Sequence, residues 1–103
     1  MAKFPFTNLH SFKSYIIFVQ MFLPDRFPPR EGDDANHPWT QDLAFEGLRL
    51  GLEMAAAEKG NLPIFVACRK LVDEADIFYR AGLKRDAFFK LEDVIKHLAE
   101  IPN

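Results

Sequence analysis

Apolar side chains recur at helical spacing in four stretches of this chain. In the first, over residues 8–23, Phe12, Tyr15, Ile16, Val19, Phe22 and Leu23 follow the i, i+3, i+4, i+7 rhythm of one helix face. Thr7 or Asn8 supplies an N-cap of the preferred chemistry. Ile17, Phe18 and Met21 make the other side apolar as well, so this helix is expected either central in the core or covered by another chain. The β-branched stretch Tyr15–Val19 is also compatible with a strand. Residues 24–38, PDRFPPREGDDANHP, carry four prolines and a Gly-Asp-Asp turn signal, which forbid a continuous helix. Pro28-Pro29 favours a stiff, extended stretch.

The second helix is predicted over 39–59, with Asn36 or His37 as cap and Pro38 in its first turn. Asp42, Glu46, Arg49 and Glu53 form a narrow polar stripe in which Arg49 is expected to pair with both glutamates. Gly47, Gly51 and Ala55, four residues apart, leave a groove for the close approach of another helix. The third helix, over 62–81, takes Asn61 as cap and Pro63 near its start, with Ile64, Cys68, Leu71, Ala75 and Phe78 as its inward stripe. Lys70–Glu74 and Asp76–Arg80 are expected to pair on its outer side. Gly82 is the left-handed residue that ends it. The fourth helix, over 84–100, is the plainest amphipath, with Ala87, Phe88, Leu91, Val94, Ile95 and Leu98 opposite Lys90, Glu92, Asp93, Lys96 and Glu100.

The short joint between the last two helices requires an antiparallel hairpin. Leu71, Ala75, Phe78, Gly82, Ala87, Leu91 and Val94 fall in an order that locally resembles one tetratricopeptide unit. Glu74 stands at a normally apolar position, the expected proline is out of register, and Gly60 precedes Gly82 by only 22 residues, which leaves no room upstream for a 34-residue repeat. A generic helical hairpin accounts for the same pattern.

At 103 residues, with 49% hydrophobic side chains, the chain is expected to form a single domain, 1–103, rather than a disordered tail or a disulfide scaffold. The fold class is all-α, a four-helix, bundle-like domain with a long Pro-rich loop after the first helix. The apolar run Tyr15–Leu23 spans nine residues and includes Gln20, too short for the roughly 20 residues of a membrane span. It meets Pro24, Asp25 and Arg26 rather than the small residues of a signal-peptide cleavage site. Cys68 is the only cysteine; in an apolar neighbourhood it reads as a core thiol in a reducing compartment, the cytoplasm by default. A net charge of -2 argues against a dedicated nucleic-acid binder. The charge is uneven: +3 over residues 1–30, -5 over 31–60 and balanced thereafter, a split that can steer partners.

Candidate chemistry is sparse. There is no Gly-rich phosphate loop, Cys pair, HExxH or GxSxG, so neither a catalytic set nor a cofactor is expected. Asp33, Asp34 and His37, beside Trp39, are the one candidate polar loop site, since carboxylates plus an imidazole suit a divalent ion; the plainer reading is a solvated acidic turn leading into a helix cap. His10 and His97 have no sequence neighbour that would poise them for proton transfer. A helix-turn-helix reading of the last two helices would put Lys84, Arg85 and Lys90 at the start of a DNA-reading helix, against Asp73, Glu74, Asp76 and Asp86 on adjoining surface.

The aromatic residues are the remaining signal. Of eleven phenylalanines, six lie in the first 27 residues. Phe4, Phe6, Phe18, Phe22, Phe27 and Trp39 therefore form a candidate interface, for a protein partner or for a second copy of the chain. The alternative is that Phe4, Phe6 and Phe27 pin the tail and loop onto the bundle. The expected function is non-enzymatic protein binding, as a small adaptor, regulatory subunit or immunity-type protein, with self-association as a homodimer.

Overall fold

Local signals in the sequence place each helix boundary. The computed structural model describes residues 4–23, 26–28 and 38–102. Four helices occupy them: α1 (Leu9–Phe22), α2 (Gln41–Lys59), α3 (Pro63–Arg80) and α4 (Lys84–Ala99), with no strand among the described residues. Residues 15–23 are thus helical up to Phe22, and the strand alternative falls. Asn8 caps α1: its Oδ1 accepts from the Ser11 amide at 2.9 Å, while Ser11 Oγ accepts from the Asn8 amide at 3.2 Å. The helix stops at Leu23, whose ψ of 147° suits a residue that precedes a proline.

Two predicted starts are displaced. Helix α2 begins at Gln41 rather than 39, because the Thr40 hydroxyl accepts from the Leu43 amide at 3.1 Å and becomes the cap. Pro38 and Trp39 lie ahead of it in extended chain, and Asn36 and His37 lie outside the described residues. Helix α3 takes Leu62, not Asn61, as its cap, since Pro63 at the first helical position leaves one fewer amide to satisfy. Between α3 and α4, Gly82 adopts φ 79°, its amide bonds Tyr79 O at 3.1 Å, and the Leu83 amide bonds Phe78 O at 2.8 Å. That Schellman closure reverses the chain within three residues.

The four helices pack as a closed ring. α1 lies against α2 and α4, α3 lies against α2 and α4, and the diagonal pairs do not meet; the α3/α4 pair is the most extensive. Phe12, Ile16 and Val19 from α1, Phe45 and Leu48 from α2, Cys68 and Val72 from α3, and Leu91, Val94 and Leu98 from α4 are fully buried at its centre. Burying each large side chain stabilises the fold by roughly 1.5–3 kcal/mol.

The inward stripe of α3 differs from its predicted one. Phe65, Cys68, Val72, Ala75, Asp76 and Tyr79 are buried, whereas Ile64, Leu71 and Phe78 are only half-buried. The helix is turned by about one residue because it faces two neighbours, α2 and α4, whose joint demand is wider than a single stripe. The glycines of α2 do provide the predicted groove. A Cβ at Gly51 would overlap the Phe12 ring, and one at Gly47 would overlap Tyr15 Oη and crowd Phe4. The rings of α1 therefore rest on the bare backbone of α2.

Candidate protein-docking surfaces

The predicted aromatic set is brought together. Trp39 lies 6.2 Å from Phe4, 5.5 Å from Phe18 and 5.8 Å from Phe27, centroid to centroid, and Phe18 lies 5.1 Å from Phe22. Phe6 packs 5.0 Å from Tyr15, whose hydroxyl donates to Ala44 O at 3.0 Å. All six candidate residues are half-buried, and Phe4, Phe6, Phe18, Phe27 and Trp39 pack directly on the core. Much of their surface is spent on one another: the cluster fastens residues 4–8, 26–28 and 38–40 to α1. Each such ring pair adds about 0.5–1.5 kcal/mol beyond its buried area. The polar candidates Asp33, Asp34 and His37 lie outside the described residues. Among the described residues no group of three His, Cys, Asp or Glu side chains is placed to hold a metal ion.

Polar pairing crosses between helices in a way the sequence did not suggest. Arg49 pairs with neither Glu46 nor Glu53. Its Nε donates to Asp73 Oδ1 and its Nη2 to Asp76 Oδ2, both at 3.0 Å, linking α2 to α3. Asp76, only 8% exposed, also accepts from Arg80 Nε at 3.0 Å, as predicted, and from Gln41 Nε2 at 3.1 Å. Arg80 reaches on to Asp42. Burial alone would lower the Arg49 pKa, but the bonds and charges of Asp76 and Asp73 outweigh it and raise it further. Glu74 is drawn away from Lys70 to Lys90 of α4, at 3.7 Å. On the other side of the ring, the buried Gln20 donates to Glu92 Oε2 at 2.7 Å. These bonds complete the fold: every buried side-chain nitrogen and oxygen among the described residues has a partner.

Cys68 is fully buried, and desolvation pushes its thiol up to about 11, so it stays protonated and unreactive at neutral pH. No helix of the described residues is long and apolar enough to cross a membrane.

The open apolar surface lies away from the aromatic cluster. A groove of about 600 Å³ runs between α2 and α3, floored by Leu52, Ala56 and Phe65 and flanked by Leu62, Val66 and Ile77. Val66 is 74% and Ile77 64% exposed. They stand eleven residues apart, three helical turns, and so share one face of α3. Arg69, Lys70 and Asp73 sit between them. A second cleft, of about 420 Å³, lies where the end of α1 meets the α3/α4 turn; Met21 and Phe88 face it together with Arg26, Lys84 and Arg85. Val66 and Ile77 fall outside the inward stripe predicted for the third helix, but the pattern of that helix alone gives no sign that they flank a groove shared with α2. Comparison with known protein families, with curated proteins and with solved structures finds no match to the chain.

Proposed function

We propose that the chain is a small, non-enzymatic helical domain that acts by binding protein, and that its docking face is the α2/α3 groove. The observation that carries this is the groove itself: an apolar floor between two helices, with Val66 and Ile77 left in water on its α3 side. Exposed apolar surface of this kind, rimmed by charge, is characteristic of association sites. The geometry suits a partner helix that lays an apolar stripe along the groove, while Arg69, Lys70, Asp73 and Glu53 fix its register. In this reading the aromatic cluster of Phe4, Phe6, Phe18, Phe22, Phe27 and Trp39 is the scaffold that holds the groove-bearing helices in place.

Selection of binding peptides from a randomised helical library checks it. Selected sequences are expected to share apolar residues at i, i+3 or i+4, and i+7. The double variant Val66→Asp/Ile77→Asp should weaken them at least about tenfold, a loss of about 1.4 kcal/mol. Peptides without that stripe, or unaffected by the variant, would sink the proposal.

A second copy of the chain is included in this reading. The outward positions of α1 include Ile17 and Met21, 45% and 65% exposed, an apolar patch apart from the groove that another copy could also cover. Sedimentation equilibrium at high micromolar concentration is expected to show a dimer; a monomer there removes self-association and leaves the groove to a different chain.

A further inference from the structure

We propose that the cleft between the end of α1 and the α3/α4 turn is a separate site that takes an acidic peptide segment bearing a large apolar side chain. Its walls combine two chemistries. Met21, 65% exposed, and Phe88, 41% exposed, offer an apolar slot over Leu23 and Tyr79. Arg26, Lys84 and Arg85 surround that slot, and none of the three makes an ion pair among the described residues. The remaining basic residues of the neighbourhood are occupied: Arg80 by Asp76 and Asp42, and Lys90 by Glu74. Three cations on one cleft, without an ion pair among the described residues, are a local charge of opposite sign to the chain's net -2; Arg85 also lies over the Phe89 ring at 5.7 Å.

Among the described residues no carboxylate lines the cleft: Asp86 is not part of its wall, and Glu92, which keeps its charge while it accepts the Gln20 amide, also stands outside it. Carboxylates of a ligand would meet the guanidinium and ammonium groups in charge-assisted bonds, and an aromatic or leucine side chain would fill the space between Met21 and Phe88. A nucleic acid is the poorer fit. The third cation of a DNA-reading helix, Lys90, is held against Glu74 and over the Phe78 ring at 6.0 Å, and Asp86 stands within the same first turn. The slot also offers Met21 and Phe88 where phosphates would need donors.

The test is fluorescence anisotropy of the full chain with a labelled short peptide of Asp and Glu around a central Leu-Trp pair. Saturable binding is expected, weakened by added salt. Lys84→Glu/Arg85→Glu should reduce it by about tenfold or more, the scale of losing charge-assisted contacts. Both substitutions place acidic residues in the first turn of α4, which the helix dipole favours, so the fold is retained. Arg26→Glu and Phe88→Ala, outside that turn and on the apolar wall, should each weaken binding severalfold. Val66→Asp/Ile77→Asp should leave it unchanged, which separates this site from the α2/α3 groove. The proposal is overturned by absence of saturable binding, by equal binding of an acidic peptide without Leu-Trp, by insensitivity to the α4 charge reversal, or by tighter binding of duplex DNA at the same cations.

Discussion

The smallest residues and the most deeply buried ones set the strictest terms. Gly51 is required by the Phe12 ring, which occupies the volume where a Cβ would stand. Gly51→Ala gains up to about 1 kcal/mol of helix propensity but must push a fully buried ring off its seat, at a cost of about 1–3 kcal/mol. The net expectation is destabilisation, read by urea denaturation; a variant more stable than the parent would contradict the close packing of α1 on α2. Cys68 and Tyr79 define a second residue-level expectation. Burial pushes the thiol from 9.0 up to about 11 and the phenol from 10.0 up to about 12. Between these values the unfolded chain binds fewer protons than the folded one, so stability falls as pH rises from about 9 and shows no slope from these groups below it. Cys68→Ala should flatten the part between pH 9 and 11, followed by chemical denaturation across that range. The same burial predicts that a thiol reagent labels Cys68 only when the chain unfolds.

At the scale of elements, Asp76 joins α2 to α3 by accepting from Arg49, Gln41 and Arg80. Asp76→Ala would leave Arg49 half-buried with one anion fewer and is expected to cost about 1–3 kcal/mol, less than a fully buried pair because both arginines reach solvent. A double-mutant cycle with Arg49→Met should return a coupling of about 1 kcal/mol; additivity would mean that the two helices are not joined there. This pair also shows what periodicity can and cannot convey. The repeat of Phe12, Tyr15, Ile16 and Val19, and that of Ala87, Leu91, Val94 and Leu98, were sufficient to specify a helix and its inner face. Gly82 was sufficient to specify the turn. Periodicity describes one helix alone, so it assigned Arg49 to Glu46 and Glu53 along its own face, when better acceptors stood on α3. It also turned α3 by one residue, since two neighbouring helices rather than one decide which side is buried. The α2/α3 groove was illegible for the same reason: it belongs to a pair of elements, and neither sequence stretch contains it.

For the whole molecule, the uneven distribution of aromatic residues acquires a structural meaning. The amino-terminal tail, the chain after α1 and the approach to α2 are separate in sequence yet meet on one side of α1 through Phe4, Phe27 and Trp39. Phe27→Ala should therefore loosen Trp39, seen as a red shift of its emission before the global transition; coincident transitions would show that this cluster melts only with the entire ring. The apolar surfaces left open, Val66 with Ile77 and Met21 with Phe88, lie on other parts of the molecule. The aromatic residues that fasten the tail and loop to α1 are thus distinct from the aliphatic and aromatic side chains left open to solvent.

The closed ring has a consequence in time. Helices α3 and α4 are neighbours in sequence as well as in space, so their hairpin can form early and at little entropic cost. The link between α1 and α4 is the reverse: Gln20 reaches Glu92 across 72 residues, and Lys13 reaches Ile101 O, at 2.6 Å, across 88. Substitutions in the hairpin core, such as Val72→Ala or Leu91→Ala, should slow folding, whereas Gln20→Ala should mainly speed unfolding. With that outcome the ring would close last and open first at the same seam, where the cleft holding Met21 and Phe88 lies. An acidic peptide spanning that seam would act as a kinetic clasp, lengthening the lifetime of the native state.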